Sequence, residues 1–389
     1  MKNRTINGVI KSFLAILIIA CNSSTKNQFK GEKVMFTISP SDTCETIKEA
    51  QFSIDSICIL QMPNDIIEIM VDKIFVTNER IYFLDTEVTR MLYIFDNNGN
   101  FIHKIGERGK ARNEFIGKPD DFFVDSKNRL HVFDKLGHKI IVYNKDCSVI
   151  NVINTDEYFP HSFGLTSNNK YMMYFTQGHK KTGEDSPSSL LLFEPDFKNY
   201  TKLMSSERNS FHQITSHSFS QNEERLSHIP CFSDSVIVFK NDTVEKVVLF
   251  DFSEKFLSKK MPEMLELEED FSFMNNYKGV LGLIRYEESN SLIYLNYIYK
   301  TQGIHWLYNK KNGQMVNGFN LFEGINPYSY YFLKGNQIIA YVDKETVERY
   351  KQLYDKKEFK ENLEKSPIQM KDLLEGKINA PALFFISLK

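Results

Sequence analysis

Residues 72–106 read DKIFVTNERIYFLDTEVTRMLYIFDNNGNFIHKIG, and residues 120–153 read DDFFVDSKNRLHVFDKLGHKIIVYNKDCSVINVI. Laid one over the other, the two segments are copies of one pattern. Asp85 falls on Asp134, 49 residues on, and Tyr93-Ile94-Phe95-Asp96 falls on Ile141-Val142-Tyr143-Asn144, 48 residues on. Each copy holds four short runs of β-branched and aromatic residues, broken by polar turns such as Asn97-Asn98-Gly99-Asn100. Branched and aromatic side chains suit a pleated, half-buried surface. The runs are too short for amphipathic helices, and the period is wrong for a strand–helix–strand unit. A period of roughly 40–50 residues with four strands per copy predicts the blades of a β-propeller.

Outward from these copies the pattern weakens but can be followed. A third blade is expected over His161–Leu165, Tyr171–Phe175 and Leu190–Phe193, with a polar loop at Gly178–Ser189. A fourth is expected over Ile229–Phe232, Ser235–Phe239 and Glu245–Phe252. The fifth takes Val280–Arg285, Leu292–Tyr299, Ile304–Tyr308 and Met315–Leu321. The sixth starts with Tyr328–Leu333 and Gln337–Val342 and then runs short of strands. Ser56–Gln61 near the start and Pro381–Leu388 at the end can supply them, which would pair the edges an open array leaves exposed. The expectation is an all-β, six-bladed propeller closed by N- and C-terminal strands. Seven blades is the alternative, because Thr201–Arg225 fits no strand clearly. A charged insertion at 344–376 is expected to form helices, with Val347, Tyr350, Leu353, Tyr354 and Phe359 at roughly helical spacing. Ser366 and Pro367 can open its second helix and Gly376 can end it.

The beginning of the chain is of another kind. Lys2, Arg4 and Lys11 precede an apolar run of eight residues, Phe13–Ala20. A bilayer span needs about 20 apolar residues, so this run fits a signal peptide instead. Ile18-Ile19-Ala20-Cys21 then resembles a lipobox, with Ile18 where Leu is usual. The expected organisation is a signal peptide over 1–20, a lipidated Cys21, a flexible tether over 21–33 and the propeller over 34–389. A lipid anchor would hold the protein at a membrane. Asn22 rather than Asp follows the cysteine, which favours the outer membrane.

A net charge of −2 gives no basic footprint for nucleic acid. The 32 Phe and 19 Tyr favour strands. Cys44, Cys58, Cys147 and Cys231 allow three disulfide pairings or none, and both readings stay open.

The lipobox, the tether and the two strong repeats resemble the six-bladed β-propeller lipoproteins of Bacteroidota, which are similar to NHL-repeat propellers. Residues 105–115, IGERGKARNEF, resemble the inter-blade loop of that family at Gly106, Gly109, Glu114 and Phe115, while Ala111, Arg112 and Asn113 depart from its Gly-Pro-Gly. Val248–Phe252 and Asn379-Ala380-Pro381 resemble its fourth-blade and closing strands. The resemblance implies the fold and the lipid anchor, and says little about activity.

The chain has no phosphate-cradling Gly-rich loop, no HExxH, no Gly-x-Ser-x-Gly and no CxxC, so no cofactor, metal or catalytic set is assigned. Asp96–Asn100 looks like part of a calcium loop, but the following residues fit a strand better, and a hairpin turn is expected. In NHL-like propellers the inter-blade loops gather at one mouth of the central channel. That would bring Arg108, Arg112, Asn113, Glu114, Asp120 and Asp121 together, joined by His161 and Tyr328. Such a set suits a polar ligand: a glycan, a peptide or an anion. The expected function is a non-catalytic binding or scaffold module on an exported lipoprotein. The alternatives are an extracellular hydrolase or lyase acting on a saccharide, lactone or peptide at the channel mouth, and a sensor whose 344–364 arm meets a partner protein.

Overall fold

The computed structural model describes residues 31–388 except 48–51, 64–68, 156–157, 176–187, 207–216, 223, 253–255, 258–276, 325–330, 344–347, 349–350, 353–354, 368–370, 373–374 and 376–379. Six sheets, each built on four antiparallel strands, form the blades of a propeller. The first strands of successive blades touch one another round the axis. They are Lys73–Val76, Asp121–Val124, Ser162–Leu165, Phe219–Asn222, Val280–Glu288 and Tyr331–Lys334. A contact from Lys73 to Asp121 completes the circle. The core lies in the wedges between blades. Ile81, Phe83, Tyr93 and Phe95 of blade one, for example, pack with Ile339, Tyr341 and Leu383 of blade six.

The two copies that led the sequence reading are blades one and two, strand for strand. Asp85 and Asp134 match because they do the same work. Each is fully buried at the end of a second strand. Asp85 accepts from the main-chain N–H of Val88 at 2.8 Å and Thr89 at 3.0 Å, and Asp134 from Gly137 at 2.8 Å and Ile116 at 2.9 Å. Each buried carboxylate finds its hydrogen-bond partners in the main chain of the loops beside it.

Blades three and four differ from the sequence expectation. Tyr200–Ser206 is the fourth strand of blade three. The first two strands of blade four are Phe219–Asn222 and Arg225–His228, not Ile229–Phe232. That latter stretch turns: Ser233 N–H donates to Pro230 O at 3.2 Å, and Phe232 has φ +48°. The described parts of the unassigned stretch 201–225 therefore supply strands to two blades, and the ring has six.

The seam of the ring is where it was expected. Phe52–Ile59 pairs antiparallel with Ala382–Leu388 in blade six, so an early strand and the last strand meet in one sheet. The path into that seam is longer than expected. Glu32–Thr37 first adds in parallel to Thr243–Asp251, the outermost strand of blade four, and Cys44–Thr46 adds in parallel to Gln314–Asn320 of blade five. After the seam, Gln61 bridges in parallel to Asn100 on blade one. The segment is a strap along the outer rim. Phe36 fixes it, with its ring 5.1 Å from Trp306 and 4.9 Å from Tyr308 of blade five.

Within the 344–376 insertion, Lys356–Lys365 is an α-helix opened by a capping box between Asp355 and Glu358. Phe359 and Leu363 pack on the core shared by blades five and six. Gly324, at φ +91°, lets the helix end approach: an added Cβ would lie 2.4 Å from Asn362 O. Ser366 closes this helix through its own N–H to Leu363 O at 3.2 Å. Gly376 lies outside the described residues. Among the described residues, Cys44, Cys58, Cys147 and Cys231 form no disulfide.

Candidate functional site

Two of the inner strands open on a charged residue, and these two side chains meet. In blade one it is Lys73 and in blade two Asp121. The Lys73 ammonium donates to Asp121 Oδ1 and to Phe122 O, both at 2.7 Å. It lies 3.6 Å from the centre of the Phe123 ring, a cation–π contact. Asp121 is 5 % exposed and also has His217 Nδ1 of blade four 3.4 Å from Oδ1. Burial opposes ionisation of Asp121, but Lys73 and His217 outweigh it and hold the carboxyl below the usual carboxylate range.

Blade five supplies the second charged pair, Arg285 and Glu287, 3.4 Å apart. Glu287 accepts from the Leu333 N–H of blade six at 2.5 Å. Burial pushes its carboxyl up to about 7, against the pull of Arg285. A third group lies beside them. Ser218 shares a hydrogen bond with Ser162 of blade three and meets His228 Nδ1 at 3.3 Å. Burial drives the His228 imidazole down to about 3, so it is neutral at physiological pH.

These side chains surround little space. The cavity bounded by Lys73, His217, Ser218, Gln221, Arg285 and Glu287 is about 30 Å³. That is room for one or two waters. Gln221 crosses the bore, donating from Nε2 to Val124 O of blade two at 3.1 Å. Its neighbours staple sideways: Ser220 donates to Tyr286 O, and Asn222 to Glu288 O at 3.0 Å. The polar run Ser220-Gln221-Asn222 thus joins blade four to blades two and five. Among the described residues, no three His, Cys, Asp or Glu side chains come together as a set able to hold a metal ion.

The structure separates the residues expected at one mouth. Asp121 lies in the channel wall. His161 immediately precedes the blade-three inner strand, where its N–H donates to Tyr174 O at 2.7 Å, and its proximity further depresses His228. Asp120 turns away and accepts from Lys135 N–H at 2.7 Å. Arg108, Arg112, Asn113 and Glu114 lie farther out, in the loop that crosses blade two. Arg108 donates to Gly117 O at 2.7 Å, and Arg112 to Val152 O at 3.0 Å on the outermost strand. Asn113 is exposed. Glu114 accepts from Ala111 N–H at 2.8 Å and fills the space beside Gly109, where an added Cβ would strike it. Tyr328 lies outside the described residues.

Lys73, His217, Arg285 and Glu287 were not anticipated. A signal for Lys73 was present: the repeat sets Asp72-Lys73-Ile74-Phe75-Val76 over Asp120-Asp121-Phe122-Phe123-Val124, placing a cation and an anion at one blade position.

A second feature lies on the rim. Between blades two and three is an open cleft of about 720 Å³. One wall is Asn151–Asn154 of the outermost strand of blade two, and the other includes Tyr158 and Phe197.

A sequence-family model described as a domain of unknown function, DUF4934, matches residues 65–373. No curated protein matches the chain. Among solved structures, an exported protein of Bacteroides fragilis is similar, with TM-score 0.70 at 17 % identity, over 92 % of this chain and 99 % of that one. That likeness shows the fold. A member of the DUF4221 family from Bacteroides vulgatus overlaps at TM-score 0.48 and 11 % identity, over 87 % of this chain and 98 % of that one. A virginiamycin B lyase from Staphylococcus aureus overlaps at TM-score 0.39 and 8 % identity, over 74 % and 85 %. Neither of these two overlaps carries an argument about function.

Proposed function

This chain belongs to the DUF4934 family, and from that premise we propose that it is an exported lipoprotein, held at the outer membrane through Cys21, whose propeller is a binding or scaffold module rather than an enzyme. The closed bore carries this reading. Gln221 reaches across to Val124, Lys73 is paired with Asp121, and the cavity bounded by Lys73, His217, Arg285 and Glu287 is about 30 Å³. A ligand pocket for an organic molecule is about 300 Å³ or more. A saccharide, lactone or peptide therefore has no berth among the axial charges, and contact with a partner falls to the rim and faces. Export is supported by the segment ending at Cys21 and by the description of the Bacteroides fragilis neighbour as exported. Among the described residues no helix is long and apolar enough to cross a membrane.

Two measurements test it. Metabolic labelling with an alkyne fatty acid should mark the wild-type protein and fail with Cys21→Ala. The purified protein should show no turnover on saccharide, lactone and peptide panels. Turnover abolished by Asp121→Asn or His161→Ala would overturn the non-catalytic reading in favour of a channel-mouth hydrolase or lyase.

A further inference from the structure

The rim of this propeller accepts strands. On blade four, Glu32–Thr37 lies in parallel against Thr243–Asp251, and Phe36 enters the wedge towards blade five. On blade five, Cys44–Thr46 lies in parallel against Gln314–Asn320, and Ile47 joins the core shared with Ile338 and Ile386 of blade six. In both places an extended segment sits at the edge of an outermost strand and sends an apolar side chain towards the next blade.

The corresponding position between blades two and three is the 720 Å³ cleft. Its edge is Val149–Asn154, where Val149 and Ile150 are exposed apolar residues. Its far wall offers Tyr158 and Phe197, which belong to the blade-three core. The Val152 carbonyl accepts from the Arg112 guanidinium at 3.0 Å, so it faces away from the neighbouring strand Lys139–Tyr143. On an antiparallel strand the N–H and C=O of one residue point the same way, so the Val152 N–H also points outward from the sheet edge, and Val152 lines the cleft. Arg112 covers this edge, and a charged side chain over an edge strand discourages unselective pairing.

We propose that the cleft between blades two and three binds an extended peptide segment of a partner protein. The segment adds to Val149–Asn154 as a parallel strand, seats one large apolar side chain against Tyr158 and Phe197, and displaces Arg112 from Val152. Its model is the molecule's own Glu32–Thr37, in which Val34 and Phe36 pack on the core while Lys33, Met35 and Thr37 are exposed. Main-chain bonds supply the affinity of such added strands and the side-chain pocket the selectivity. The inference rests on reading the propeller as a binding module and names the surface and the ligand class.

The probe is the synthetic peptide EKVMFTI, the sequence of residues 32–38, titrated into the mature protein. Fluorescence anisotropy gives the Kd and hydrogen–deuterium exchange maps the site. The expected result is new protection at Asn151–Asn154. Val152→Pro should weaken binding at least tenfold, because it removes the outward N–H and leaves the inward bonds of Asn151 and Ile153 in place. Arg112→Ala, an exposed change with little risk to folding, should tighten binding several-fold. If Val152→Pro lowers folded yield, Arg112→Ala and the exchange map decide. No binding, protection only along residues 32–37, or affinity unmoved by either variant would overturn the proposal. So would peptide-independent dimerisation that protects Asn151–Asn154, since a second copy would then be the occupant. Any of these results leaves the binding-module reading standing, because fatty-acid labelling and the turnover panel test that separately.

Discussion

Gln221 of blade four donates its side-chain amide to the main-chain carbonyl of Val124 of blade two, 3.1 Å away and 97 residues earlier in the chain. Adjacent blades of a propeller share a wedge of core, but these two are separated by blade three. The bond therefore couples blades directly across the bore. Gln221→Ala leaves the buried Val124 carbonyl unsatisfied and should cost about 1–3 kcal/mol. Urea denaturation of the variant beside wild type measures it.

Lys73 and Asp121 should behave as a unit. Both are almost wholly buried. Lys73→Met leaves a carboxylate without its main counter-charge and should destabilise by roughly 3–5 kcal/mol. Adding Asp121→Asn to that variant should recover most of the loss. A double-mutant cycle in urea checks this, and a loss that is simply additive would contradict the pairing.

Glu287 and His228 should set opposite pH slopes. The folded Glu287 carboxyl sits at about 7 against an ordinary 4.5. Its raised value means that the stability it contributes is present below pH 4.5 and is lost as pH rises through 7. The loss is roughly 3 kcal/mol at most. Glu287→Gln should flatten the decline in stability between pH 4.5 and 7. The His228 imidazole sits at about 3 against 6.5, because burial disfavours its charge. Its depressed value means stability is lost as pH falls from 6.5 towards 3, and His305, pushed to about 4 by burial, acts in the same sense. His228→Gln should flatten the acid side. Thermal melts between pH 4 and 9 read both slopes.

Phe36 and Met35 are neighbours on the strap with opposite fates. Phe36 meets Trp306 and Tyr308, whereas Met35 is 58 % exposed. Phe36→Ala should cost about 2–3 kcal/mol, and Met35→Ala under about 0.5. Differential scanning calorimetry distinguishes them, and equal effects would mean the strap is not seated through Phe36.

The legibility of this sequence follows the chemistry of its strands. Blades one and two were readable because their strands are apolar and their turns carry repeated Asp residues with a repeated task. Blade five was readable for the first reason alone. The inner strands of blade four, Phe-Ser-Gln-Asn and Arg-Leu-Ser-His, were not. Ser220, Gln221 and Asn222 each bind a main-chain carbonyl of another blade, a use of polar residues that leaves no alternating signature. Ile229–Phe232 was apolar enough to resemble a strand, but Pro230 removes a donor and Phe232 turns the chain. Glu32 and Lys33 were read as tether and Val34–Thr37 were given no strand, because the partner strand lies more than 200 residues away. The channel cluster was legible only in part. Asp121 stood out as one of two adjacent carboxylates, while Lys73, Arg285 and Glu287 each looked like an ordinary charge until the ring brought four blades together.

The strap also gives the molecule a mechanical order. A chain drawn from residue 31 first loads the Glu32–Thr37 pairing along its own length, where parallel bonds to Lys246–Asp251 share the load in shear rather than opening one at a time like a zip. The next element to bear tension is Cys44–Thr46 on blade five, and only then the seam between Phe52–Ile59 and Ala382–Leu388. Two rim attachments act as strain relief for the joint that closes the ring, so a pull from the N-terminal side must strip blades four and five before it can unbuckle the propeller.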